Sequence, residues 1–379
     1  MGLALSRLGR VTIAAALLIG SATRLYIALH PHPLRGDEAS RYEPLARGLL
    51  HGEGFTLSNK PDDFDQPGYP AFIAAVYRVF GGPRAVILIQ LGLELVCVWL
   101  CVLIAQIRGP VLVVALLCPF LPLFAGYLLT EILATLSMCL LVFSLLKGTA
   151  RWWLIAGLAS GAGLLLRADL IIASVVLPTV AVIATKQWRG LVLYSIVLIL
   201  VLLPWTIRNY RLSGAIKPLG GVAGQLNDPY VNWLNSWLDD PKYLDAYWWH
   251  KDGVVDQPPV NHSAVPIRRT VMTWVRMPTY IQKTPLKIAG YIFWALLSTL
   301  AVVGATVSIR RKNYLLSALL VGLVVSRLVL PFLSALAAEP RYMIEALPAC
   351  FLLAGIAITG RPGRARPAGL HTNNANYRT

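Results

Sequence analysis

Residues 11–29, VTIAAALLIGSATRLYIAL, followed by Arg35-Gly36-Asp37-Glu38-Ala39-Ser40-Arg41-Tyr42, decide how this chain is read. The first stretch is close to the roughly 20 apolar residues that a helix needs to cross a bilayer. It is interrupted only by Arg24 and preceded by Arg7 and Arg10. Its length marks a retained anchor rather than a cleaved secretory signal. The second stretch lies where that helix returns to water, with two adjacent carboxylates flanked by basic and aromatic side chains. Further out, Gln66-Pro67-Gly68-Tyr69-Pro70 follows in the same polar segment, and the later apolar runs read as a scaffold behind both.

Composition agrees. Hydrophobic residues make up 56% of the 379 and charged residues only 14%, where a soluble chain carries roughly a quarter charged. This is a polytopic membrane protein. A net charge of +16 would suit nucleic acid, but the cations cluster in short connections between apolar runs. That is the positive-inside pattern, so nucleic acid is not a partner and membrane lipids are. Cys97, Cys101, Cys118, Cys139 and Cys350 all fall inside apolar runs, which makes them small apolar filler rather than a disulfide framework or a zinc site.

The hydropathy pattern predicts an all-α fold of about ten spans, at 9–30, 84–107, 110–126, 128–147, 152–168, 169–185, 190–207, 287–309, 314–335 and 343–360. They form one transmembrane domain, 1–360, followed by a basic and disordered cytoplasmic tail, 361–379. With the N-terminus inside, Arg108, Lys147, Arg151, Lys186, Arg189, Arg310, Arg311, Lys312, Arg361, Arg364 and Arg366 all fall on the cytoplasmic side of the plasma (inner) membrane. Both termini are then cytoplasmic, and the polar segments 31–83 and 208–286 face outward.

In the first outer segment, Ser40 and Glu43 have capping-box spacing, which predicts a helix from near Arg41 to His51-Gly52. Pro44 falls in its first turn. Tyr42, Leu45, Ala46, Leu49 and Leu50 share a face suited to lying on the bilayer. Residues 71–80 form a second amphipathic piece. The second outer segment is rich in aromatics (Tyr230, Trp233, Trp237, Tyr243, Tyr247, Trp248, Trp249), which favour headgroup depth. It ends in a surface helix over 267–288. No internal repeat is visible.

Joining a sugar to a hydroxyl with a phosphate-linked donor needs one carboxylate to take the acceptor's proton. The leaving phosphate needs cations rather than an acid. Asp37 is the candidate base, since the Ser40/Glu43 box would place the helix cap three residues later and leave Asp37 in the preceding turn.

Gly36-Asp37-Glu38-Ala39 with Tyr42, then Ala46, Gly48, Gly54-Phe55, Pro67-Gly68-Tyr69-Pro70 and Gly81, resembles the first outer loop of GT-C glycosyltransferases. The likeness is to the branch of protein O-mannosyltransferases and lipid A aminoarabinose transferases (family 39-like). Thr130-Glu131, Leu166-Arg167, Pro204-Trp205-Thr206-Ile207-Arg208-Asn209-Tyr210 with Gly214, and Glu339-Pro340-Arg341-Tyr342 with Pro348 continue the match in order. The resemblance implies an inverting transferase using a polyprenyl-phosphate-linked sugar on the outer face. By position Asp37 is then the catalytic carboxylate and Glu38 its neighbour. The acceptor is a glycan, glycolipid or protein. Two departures stand out: Gln66 replaces the usual first proline, and many relatives carry more helices and an outer C-terminal domain.

Glu38, Tyr42, Tyr69, Glu131, Arg208, Arg341 and Tyr342 are the substrate-binding candidates, with Arg167 behind them. Glu131 opens its span on the outer side, and Arg341 and Tyr342 emerge at headgroup depth to clamp the donor phosphate or anchor the interface. Glu94 and Arg327 lie deep in apolar sequence and could pair with each other. Asp62, Asp63 and Asp65 with His51 could hold a divalent cation, though no metal motif has that spacing, and no cofactor is firmly implied. His250 and His262 carry no assignment. An oligosaccharide ligase of the O-antigen type, or a transporter or flippase of polyprenyl-linked glycans, are the competing readings. The acidic pair after the first span argues against the ligase. The absence of a repeat argues against the transporter.

Overall fold

The computed structural model describes residues 7–105, 108–221, 266–276, 284–333 and 340–360. Apart from turns and connecting loops these residues are helical, with one two-stranded ribbon of β1 (Thr56–Leu57) and β2 (Lys60–Pro61). Helix α1 (Arg7–Leu29) leads into the outer segment with α2 (Glu43–His51) and α3 (Gly68–Phe80). The bundle continues with α4 (Pro83–Ala105), α5 (Arg108–Leu117), α6 (Phe120–Ala125), α7 (Glu131–Lys147), α8 (Ala150–Leu166), α9 (Ile171–Thr185) and α10 (Trp188–Ser213). It closes with α11 (Pro266–Val275), α12 (Thr284–Arg310), α13 (Tyr314–Leu333) and α14 (Leu347–Thr359).

Among the described residues, six helices are long and apolar enough to cross a membrane, and three further apolar helices are shorter. This is a multi-pass membrane protein. The run expected to span at 110–126 is broken at Cys118–Pro119 into α5 and α6. Proline cannot donate the i→i−4 bond, and Pro119 takes the N-cap place of α6. At ~1.5 Å per residue neither piece alone crosses about 30 Å of hydrocarbon. The expected surface helix over 267–288 is α11, which ends at Val275, while Ile288 belongs to α12. The aromatic segment around Tyr230–Trp249, His250, His262 and the tail 361–379 lie outside the described residues.

Helices α7 and α14 form the centre. α14 is buried over most of its length, packed against α12, α5 and α4, and α7 against α8 and α4. Small residues permit these approaches, as membrane helices require. A Cβ on Gly304 would sit 1.8 Å from the Leu353 carbonyl oxygen, and one on Gly157 would sit 2.5 Å from that of Tyr194.

Helix α2 turns the apolar face expected to meet the bilayer into the protein instead. Leu45 and Ala46 are fully buried, and the helix packs on α3, so its apolar face closes the outer segment against the bundle. Gly52, at φ +82°, ends the helix as expected, and Pro44 falls in the first turn of its α-helical part.

Candidate active site

The chain leaves α1, turns at Gly36 (φ +50°), and forms one π-helical turn over Glu38–Tyr42 that runs straight into α2. The expected Ser40/Glu43 capping box is not made. The Ser40 amide and hydroxyl both donate to the Gly36 carbonyl, at 3.0 and 2.8 Å, and Glu43 pairs with Arg47 instead. The helix therefore starts at Glu38 rather than near Arg41. Asp37 stands at its N-cap position with no side-chain cap bond. Single π turns of this kind are frequent at functional sites.

Glu38 and Asp37 part company here. Glu38 is buried, its Oε1 accepting the Leu128 amide at 2.6 Å and its Oε2 the Arg35 amide at 3.0 Å. Burial pushes its carboxyl up to about 7. Glu38 thus ties the outer loop to the segment entering α7. Asp37 keeps 28% side-chain exposure, and among the described residues its carboxylate has one hydrogen-bond partner, Arg341. Both terminal nitrogens of Arg341 approach the same Oδ2, at 3.4 and 3.5 Å.

Arg341 and Tyr342 lie on the 3₁₀ turn Pro340–Ala346 that precedes α14. The Tyr342 ring is flanked by two guanidiniums, with the carbon of Arg167 at 5.3 Å and that of Arg341 at 5.6 Å. Behind it lies a buried charge cluster. Arg167 reaches Glu131 at 3.0 Å, Asp169 at 2.8 Å and Glu345 at 3.4 Å. Arg327 reaches Asp169 at 2.8 Å and Glu345 at 3.3 Å, and donates to the Tyr342 carbonyl at 2.7 Å. Arg327 therefore fixes the turn that presents Arg341. Glu131 keeps one buried oxygen, Oε2, without a hydrogen bond.

Tyr42 sits against this group. The carboxylates of Asp37 and Glu131 raise its hydroxyl pKa, with burial the larger cause, while Arg341 and Arg167 oppose. Tyr42 meets Tyr69 edge-on at 5.2 Å. Tyr69 is fully buried and donates to Gln90 Oε1 at 2.8 Å, so it supports Tyr42 from below.

The structure thus brings Asp37, Tyr42, Glu131, Arg167, Arg341 and Tyr342 together. Arg208 is held elsewhere. It donates to the carbonyls of Asp62 at 2.6 Å and Phe55 at 3.0 Å, and lies 4.5 Å over the Trp205 ring, fastening the β1–β2 ribbon to α10. Glu94 and Arg327 do not pair with each other: Glu94 takes both arms of Arg24, at 2.6 and 2.7 Å. Among the described residues, no group of three or more His, Cys, Asp or Glu is placed to hold a metal. Asp65 is bound by Arg41 at 2.7 Å and Asp63 by Lys217 at 2.6 Å.

Sequence reasoning missed Asp169, Glu345 and Asp65 as neighbours of the site. The first two were visible as acids inside apolar runs, the signal that singled out Glu94. Asp65 had none beyond its place in an acidic loop. Burial lifts it to about 6, with the charges of Asp62 and Asp37 adding.

No protein-family model matches the chain, and no curated protein does either. A solved structure does: ArnT from Cupriavidus metallidurans in the apo state superposes with a TM-score of 0.60 at 15% identity, over 92% of this chain and 59% of that one. The fold is ArnT-like. The likeness is one of fold, and that fold is in keeping with the all-α membrane architecture expected from the resemblance. A second ArnT structure from the same organism, bound to undecaprenyl phosphate, aligns at a TM-score of 0.47 and 14% identity, over 93% of this chain and 77% of that one. The chain spans about three fifths of the length of the ArnT apo structure, at 59%.

Proposed function

We propose that this chain is an inverting glycosyltransferase of the outer face of the plasma membrane. It moves a sugar from a polyprenyl-phosphate donor to an acceptor hydroxyl or phosphate, with both chain termini in the cytoplasm. The observation that carries this reading is the Asp37–Arg341 pair: a part-exposed carboxylate whose one hydrogen-bond partner among the described residues is a guanidinium more than 3 Å away, in an ArnT-like fold.

The donor's tail stays in hydrocarbon, so its phosphate must sit at headgroup depth, where Arg341 emerges. Phosphate competes with Asp37 for that guanidinium and frees the carboxylate as the donor arrives. Asp37 then accepts the acceptor's proton, the acceptor oxygen bonds to the anomeric carbon from the opposite face, and the carbon–oxygen bond to phosphate breaks. The electron pair leaves on the phosphate, and Arg341 holds it more strongly as its charge grows. Tyr42 and Tyr342 offer their hydroxyls beside that charge, and Glu131 with Arg167 lies behind them.

The test is direct. Detergent-purified full-length protein is given a polyprenyl-phosphate sugar together with cell-envelope lipids and glycans. Release of polyprenyl phosphate should accompany a one-sugar gain in acceptor mass. Intact donor after long incubation with every acceptor class would contradict the proposal.

A further inference from the structure

The far ends of α7–α10, opposite Asp37, border an open pocket of about 470 Å³. The 17 residues of α7 separate it from Glu131, about 25 Å at ~1.5 Å per residue, so it is no part of the site above. Its walls include Trp153, Lys186, Gln187, Trp188, Arg189 and Leu193. Trp153 is buried, and its indole N–H donates to Gln187 Oε1 at 2.8 Å. That leaves the Gln187 amide nitrogen as the donating group, and it lies beside Gly148, also in the wall.

The charge there is one-sided. Lys186 and Arg189 line the cavity and Lys147 and Arg151 adjoin it in sequence, and none of the four has an ion-pair partner among the described carboxylates. Arginines near the other end behave differently, since Arg24, Arg41, Arg167 and Arg327 are each paired with a carboxylate. Helices α8 and α10 both begin at the cavity without a side-chain cap, so the positive ends of their dipoles add to the field. From the rim an exposed apolar stripe descends α10 through Trp188, Val192, Ile196, Ile199 and Leu203, at the spacing of one helix face.

The geometry points to a binding site for an anionic glycerophospholipid. Its phosphate sits in the cavity between Lys186, Arg189 and the Gln187 amide, and its acyl chains lie along the α10 stripe. A free phosphate would use the pocket but not the stripe. A zwitterionic lipid brings a cation that four unpaired basic side chains repel. Basic pockets between membrane helices are known lipid-headgroup sites.

The experiment uses purified full-length protein in nonionic detergent, with bound lipid counted by native mass spectrometry. The additions are phosphatidylglycerol, phosphatidylcholine or inorganic phosphate. Wild type should retain one phosphatidylglycerol that the Lys186→Ala/Arg189→Ala variant loses. Two cations removed weaken binding by roughly 30-fold. Arg310→Ala/Arg311→Ala, which removes basic residues from a different connection, should retain the lipid. The single exposed reversal Arg189→Glu repeats the test should the double variant unfold. Phosphatidylglycerol should also raise the thermal midpoint of wild type and not of the variants. Unchanged retention in the variants, equal retention of phosphatidylcholine, or an equal midpoint rise with inorganic phosphate alone would overturn the assignment.

Discussion

Two arginine–carboxylate pairs join the start of the chain to later helices, and they are built in opposite ways. Arg24 grips both oxygens of Glu94 at 2.6 and 2.7 Å, with side chains 8% and 0% exposed. Arg341 approaches a single oxygen of Asp37 at 3.4 and 3.5 Å, with side chains 12% and 28% exposed. The first pair is closed: both Glu94 oxygens are taken, and the third guanidinium nitrogen donates to the Gly20 carbonyl. The second is open, because one carboxylate oxygen has no described partner and a competing anion can draw the guanidinium away. A closed pair within apolar helices holds structure, whereas an open pair at the mouth of a fold is available for chemistry.

The largest expected effect breaks the closed pair. Glu94→Ala leaves Arg24 charged and unpartnered, a loss of about 3–5 kcal/mol, read as a much lower thermal midpoint in detergent. Asp37→Asn should leave that midpoint nearly unchanged, since an exposed, loosely paired carboxylate contributes little. Equal destabilisation by both substitutions would erase the distinction.

A smaller effect sharpens the open pair. Arg341→Ala should lower transfer on the order of 10²-fold, in the range of a lost charge-stabilising donor. Arg341→Lys should lower it less, because it keeps the charge without the two-pronged geometry. The check is transfer rate against donor concentration. Unchanged kinetics in Arg341→Ala would make this residue an interface anchor.

The smallest effect is pH-dependent and belongs to Glu38. Its folded value, about 7, lies above the ordinary 4.5. Its contribution to stability is therefore full below about pH 4.5 and lost as pH rises through about 7. Thermal midpoints should be higher at pH 5.5 than at pH 8, and the gap should narrow in Glu38→Gln. Asp65, raised to about 6, adds a share of the same sign that Glu38→Gln leaves in place. A midpoint that rises toward pH 8 would contradict this.

Much of this architecture is legible in the sequence, because a bilayer imposes long apolar runs and leaves polar segments conspicuous. Asp37, Tyr42, Arg341 and Tyr342 stand out for that reason. The pairing across 304 positions between Asp37 and Arg341 is not legible, since nothing local encodes which loops meet. Averaged hydropathy hid the break at Pro119. Glu38 and Arg208 illustrate a different limit. Each has the residue type a site would use, yet neighbouring backbone groups claim them: the amides of Leu128 and Arg35 in one case, the carbonyls of Asp62 and Phe55 in the other. Side-chain chemistry alone cannot tell a tether from a ligand.

The central claim, that Asp37 is the base of a lipid-phosphate sugar transfer, is tested most directly by measuring donor binding and transfer side by side in wild type and Asp37→Asn. Asparagine keeps size and hydrogen bonding but cannot take a proton. The account predicts donor affinity close to wild type and turnover lower by on the order of 10²–10⁴. Near-normal turnover in Asp37→Asn would contradict it.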